Sequence, residues 1–204
     1  EYSKTATTND GGQTYDLTLS VSGDVGLSTE KQKVDVLFIV DQSRSMDERD
    51  MGEGKTRQQV VAEQAKALAE ALAANENLDA QFAVVTFSDS LGSTQYYNDA
   101  AIRLSWTDDT SAVYSAANQE STGGTNYEAG MMTGRAALIE SRPDALKYVI
   151  FLSDGEPTYC YDKNGNTDGN GSDFRDTYLT SAIEQAEFYS AVNGFFTIRV
   201  GNES

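Results

Sequence analysis

The sequence predicts an α/β fold: a doubly wound, mostly parallel central sheet with helices on both faces, preceded by a short β segment. Three observations carry that reading. Short apolar runs recur along the chain, at Val34 to Val40, Gln81 to Phe87, Leu146 to Leu152 and Phe195 to Val200. Strands buried on both faces of a parallel sheet read as such near-continuous runs. Helical patterns separate them, which is the alternation that parallel crossovers require. Finally, Asp41-Gln42-Ser43-Arg44-Ser45 stands where the first run ends and its crossover helix has yet to begin. In open α/β sheets that carboxyl edge is where ligands bind.

In chain order, residues 1–12 form a polar, Thr/Asn/Gly-containing lead-in, and Gln13 to Val21 alternates polar and apolar like a strand with one solvated face. Ser22 to Lys33 reads as a linker, so residues 1–33 form an N-terminal β segment and linker ahead of a main domain at 34–204. Lys4 reads as a solvated lysine rather than part of a side-chain cross-link. Thr56 to Ala74 is a helix whose buried stripe is Val61, Ala65, Leu68 and Leu72.

Tyr96 to Leu104 mixes polar and apolar residues, as an edge strand does. Asp108 to Asn118 is a helix, Ser121 to Asn126 a loop and Tyr127 to Glu140 a helix. An insertion rich in Asn, Gly and Asp occupies 159–176. Asp176 to Val192 is a further helix, with Leu179, Ile183, Ala186 and Tyr189 or Ser190 facing inward.

Composition narrows the function. Acidic residues outnumber basic ones 32 to 15 for a net charge of −17, which repels nucleic acid and anionic membranes. Histidine is absent, removing the usual general base and the usual zinc ligand together. The chain has neither a Gly-rich phosphate loop with its Lys nor a Ser–base pair, which argues against an enzyme. The single Cys160 has no partner for an internal disulfide. No apolar stretch approaches the roughly 20 residues of a membrane span. Glu1-Tyr2-Ser3 reads as the start of a mature or trimmed chain.

The Asp-x-Ser-x-Ser stretch offers one carboxylate and two hydroxyls, hard oxygen donors suited to Mg²⁺ or Ca²⁺. Read alone, it is equally a turn with serine caps. Two further loops change the balance, Gly123-Gly124-Thr125-Asn126 and Ser153-Asp154-Gly155-Glu156-Pro157-Thr158.

In order and spacing, Phe38 to Met46, Gly123 to Asn126 and Phe151 to Thr158 resemble the von Willebrand factor A domain and its metal-ion-dependent adhesion site, over roughly 34 to 201. The resemblance implies Ser43, Ser45 and Thr125 as direct ligands of Mg²⁺ (or Mn²⁺ or Ca²⁺). Asp41 and Asp154 would hold the shell, often through water. It also implies an open coordination position for a Glu or Asp of an extracellular-matrix or host-cell protein. Glu156, Asp162 and Asp168, from the third loop and the insertion beside it, are candidates for the face that meets it. Arg44 either helps capture the acid or, as the simpler reading, points to solvent.

Two features depart from the family pattern. Gln42 and Arg44 stand where small residues are common, and the family continues with a helix, and usually a strand, beyond the position of Ser204. The insertion spaces oxygens like a calcium loop from Asp162 to Asp173. It lacks Gly at the sixth position and ends in Asp rather than Glu, so a flexible surface loop is the simpler reading. The Thr-rich β lead-in resembles the layout of Gram-positive surface and pilus-tip adhesins, which implies an extracellular location on a cell wall or pilus, within a larger surface protein. The expectation is therefore an adhesion module. The alternative is an assembly domain of a surface fibre in which metal only stabilises the fold.

Overall fold

The structure, a computed structural model, describes residues 2–9, 14–21, 30–89 and 99–201. Two strands, β1 (Tyr2–Asn9) and β2 (Thr14–Val21), pair antiparallel. The polar lead-in is thus itself a strand, because its Thr and Tyr residues favour a pleated backbone as much as those after it. The expected start at Gln13 and most of the expected linker lie outside the described residues.

Among the described residues the main sheet has five strands. β3 (Gln32–Asp41) is central, flanked by β4 (Leu78–Phe87) and β6 (Leu146–Ser153), with β5 (Ala100–Thr107) at one edge and β9 (Gly194–Arg199) at the other. Among its described strands, only the β4–β5 pair is antiparallel. The expected edge strand is therefore present, shifted toward the carboxyl side; residues 96–98 lie outside the described residues.

Alternate residues of β3 feed two cores. Val34, Val36, Phe38 and Val40 pack with α1 (Arg57–Ala73) and α2 (Thr110–Ala117). Leu37 and Ile39 pack with α3 (Tyr127–Ile139) and with Tyr189, which follows α4 (Asp176–Ala186). Both faces are covered, which explains the continuous apolar runs.

Local chemistry sets the helix ends. Thr56 and Gln59 form a reciprocal capping box at the start of α1, each side chain bonded to the other's backbone N–H. In α1, Val61 and Ala65 are buried as expected, while Leu68 and Leu72 are half-buried and Ala62 and Ala69 complete the stripe. The Asn126 side chain caps α3 by accepting from Ala129 N–H at 3.1 Å, which places Thr125 at the mouth of that helix.

The last helix corrects the expectation. It ends at Ala186 and passes into a 3₁₀ turn at Glu187–Tyr189. Tyr178 and Ala182 are buried, whereas Leu179 and Ile183 are 39% and 54% exposed. Both pairs have the i, i+4 spacing, and periodicity alone does not choose between adjacent stripes. Burial of the larger Tyr178 ring, with Tyr189 donating to Met131 C=O at 2.6 Å, fixes the helix one position round. Leu179, Ile183 and Ala186 instead border an open groove of about 350 Å³ beside Phe195.

The insertion is a hairpin of β7 (Tyr159–Tyr161) and β8 (Thr167–Gly169) rather than an unstructured loop. Its turn is organised by Asp162, which accepts from the backbone N–H groups of Asn164 and Asn166, both at 2.8 Å.

Candidate metal centre

Register brings the three loops together. Asp41 pairs with Phe87 and Val40 with Leu152, so β3, β4 and β6 end level and open their loops at one edge. A bridge between Asn126 and Tyr159 sets the α3 mouth beside the loop that follows β6. The first two loops are zipped by backbone bonds, Arg44 N–H to Gly123 C=O at 3.0 Å and Thr122 N–H to Gln42 C=O at 2.8 Å.

Asp41 is fully buried and spends both oxygens on organising its surroundings. Oδ1 accepts from Ser43 N–H at 2.7 Å, and Oδ2 accepts from the Ser153 hydroxyl at 2.5 Å. Burial pushes its carboxyl up to about 7, against the pull of those two donors, and the nearby Asp154 charge pushes the same way. Ser43 Oγ lies 3.1 Å from Ser45 Oγ, and Ser45 Oγ donates to Asp154 Oδ1 at 2.8 Å. Asp154 Oδ2 accepts from Arg57 Nη1 at 2.9 Å. Thr125 is anchored by its backbone, with its N–H on Thr158 Oγ1 at 3.0 Å and its C=O taking Thr158 and Tyr159 N–H at 2.9 and 3.1 Å.

The hydroxyl residues Ser43, Ser45 and Thr125 line one open cleft of about 690 Å³, with Arg44, Glu156, Asp89 and Tyr159 on its walls. Asp41 and Asp154 stand buried at its margin. Asp162 is engaged in its own hairpin turn, and Asp168 is exposed on β8 opposite Cys160, so neither lines the cleft. The departure at Gln42 has a structural reason. Its side chain is buried, donating to Glu120 C=O at 2.6 Å and accepting from Arg103 at 3.4 Å, so it leaves the cleft free.

Four contributors went unseen in the sequence. Ser153 and Arg57 hold the two aspartates. Tyr127 donates to Gly155 C=O and Ser153 Oγ, and its ring packs on Phe87 and Phe151 beneath the site. Among the described residues Asp89 Oδ1 is buried with no hydrogen-bond partner, and it lies against Gly123, whose φ of +70° and missing Cβ make room for it. Only Ser153, adjacent to Asp154, carried any positional signal.

Among the described residues, no three His, Cys, Asp or Glu side chains group as a metal site would need. The donors gathered here are of another kind: hydroxyls in the cleft, with the carboxylates of Asp41 and Asp154 hydrogen-bonded behind them. An all-oxygen set of this composition fits a hard divalent cation.

The sequence model described as von Willebrand factor type A domain matches residues 36–156. No curated protein matches the chain. Among solved structures, the chain is similar to the PilB minor pilin of Streptococcus sanguinis (TM-score 0.63, 16% identity, 91% of this chain and 58% of that one). It is also similar to the pilus adhesin SpaC of Lactobacillus rhamnosus GG (TM-score 0.62, 18% identity, 97% and 28%). A third is the vWF domain of the type V pili tip protein Mfa5 of Porphyromonas gingivalis (TM-score 0.52, 22% identity, 66% and 42%). The chain thus spans less than two thirds of each of these relatives, and identities this low speak for the fold. On the family match, which covers more than half of its length, this chain belongs to the von Willebrand factor type A domain family.

Proposed function

We propose that the chain is a metal-dependent adhesion module of a surface protein, holding a divalent cation and through it an acidic side chain of a partner. The observation that carries this reading is the convergence of Ser43, Ser45 and Thr125 on one cleft, with Ser45 bonded to buried Asp154. Ser43, Ser45 and Thr125 would hold Mg²⁺ (or Mn²⁺ or Ca²⁺), and Asp41 and Asp154 would orient them and the waters between. When bound, the cation supplies a hard positive centre with a coordination position left for a carboxylate. Asp41 fixes the turn of the first loop through Ser43 N–H, and Thr158 holds Thr125 against the third loop. This is a binding arrangement rather than a catalytic one.

The partner is an extracellular-matrix or host-cell protein presenting Glu or Asp, and the location is the cell surface, on a wall or pilus. Likeness to a pilus adhesin, a minor pilin and a pilus-tip protein supports that placement. No helix among the described residues is long and apolar enough to cross a membrane.

Attachment of the purified chain to matrix-coated surfaces tests the proposal. Chelation should abolish attachment, and Mg²⁺ or Mn²⁺ should restore it. Attachment indifferent to chelation, with Ser43→Ala lowering only the melting temperature, would favour the assembly role instead.

A further inference from the structure

We propose that Arg57 is the resident counter-ion of Asp154: it keeps the site assembled when no cation is bound and, by sharing that carboxylate, weakens the hold on one. The inference rests on the metal reading above. The Asp154 side chain is fully buried, and its Oδ2 is paired with Arg57 Nη1 at 2.9 Å. A carboxylate so placed needs a compensating charge, because the protein interior solvates it poorly.

Arg57 is well placed to supply that charge permanently. Asp50 grips it in a two-pronged pair, Nε to Oδ1 at 2.9 Å and Nη2 to Oδ2 at 2.6 Å. Glu48 adds a third carboxylate at 2.9 Å from Nη2. Its backbone N–H is also bonded to Glu48 C=O at 2.9 Å. The chain leaving β9 closes the remaining side. Gly201, at φ +95°, passes so near that a Cβ there would lie 2.6 Å from Arg57 Nε. The guanidinium therefore has no room to swing away when a cation arrives.

Two consequences follow. With Asp154 paired in advance, less of the site's negative charge is left to attract the cation. The fixed guanidinium also repels the incoming ion. Removing it should leave Asp154 as an uncompensated buried charge that a divalent cation then satisfies.

The experiment is titration calorimetry of Mg²⁺ into the intact 204-residue chain, together with melting curves in chelator and in Mg²⁺. Arg57→Gln should bind Mg²⁺ about tenfold more tightly than the unsubstituted chain, since water only partly screens a nearby unit charge from a divalent ion at a protein surface. It should melt lower in chelator and regain more on adding Mg²⁺. Arg57→Lys, which keeps the charge, should bind like the parent. Equal or weaker binding by Arg57→Gln overturns the proposal, as does a variant that stays unfolded at saturating Mg²⁺. Failure of the parent chain to bind Mg²⁺ would be a different result, removing the metal reading itself.

Discussion

Replacing Arg142 by Ala isolates the stability of the fold from the chemistry of the cleft. Asp35 has 0% exposure near the start of β3. Its Oδ1 takes Arg142 Nε at 2.9 Å and Nη2 at 2.7 Å, and its Oδ2 takes Arg142 N–H at 2.8 Å. The same guanidinium reaches Asp79 Oδ2 and Asp79 C=O, both at 2.8 Å, tying the start of β4 to the loop before β6. Truncation takes the guanidinium from the buried Asp35 carboxylate and leaves it the backbone N–H of residue 142. Breaking a buried pair in this way is a class of change that costs about 3–5 kcal/mol. Arg142 is itself 19% exposed, so the lower end, about 3 kcal/mol, is the appropriate figure. For a chain of this size each kcal/mol moves the midpoint by about 2–4 °C, so Arg142→Ala should melt about 6–12 °C lower. Six residues of strand, about 20 Å, separate Asp35 from Asp41, so Mg²⁺ affinity measured on the folded variant should be unchanged. A loss below about 3 °C would refute the claim that this carboxylate depends on Arg142. A large change in Mg²⁺ affinity would refute the independence of the two sheet edges.

Other outcomes follow from the site. Burial raises the Asp41 carboxyl from 3.8 to about 7 in the metal-free fold, so between those values the folded chain binds a proton that the unfolded chain has released. Stability from this group should therefore fall as pH rises from about 4 to about 7, by at most about 4 kcal/mol. Denaturant titrations in chelator should show that component in the parent and not in Asp41→Asn, and saturating Mg²⁺ should flatten it by holding the carboxylate ionised. Gly123→Ala places a side chain at φ +70° and drives its Cβ to 1.7 Å from Asp89 Oδ1. The left-handed backbone alone costs about 1–2 kcal/mol, so a melting point unchanged by this substitution would contradict the described loop.

How far the sequence revealed this molecule depends on how local each signal was. Val36 to Val40 declared a doubly covered strand because every residue in it meets a core. Thr56 marked a helix start because its partner, Gln59, is three residues away. The α4 face was misassigned because Tyr178/Ala182 and Leu179/Ile183 are equally periodic, and only burial of the Tyr178 ring in the folded chain decides between them. The insertion read as a loop because its strands are three residues long, too short to show alternation. Arg57 and Ser153 escaped because their partners are 97 and 112 positions distant in the chain. The loops bearing Ser43, Ser45, Thr125 and Asp154 were legible for the opposite reason: each is a compact run of distinctive residues beside a recognisable strand or helix.

Crystals grown with Mn²⁺ and measured for anomalous scattering test the central claim most directly. The account predicts one strong peak in the cleft, within bonding distance of the hydroxyls of Ser43, Ser45 and Thr125, and its loss in Ser45→Ala. A peak elsewhere on the surface, or none at saturating Mn²⁺, would contradict it.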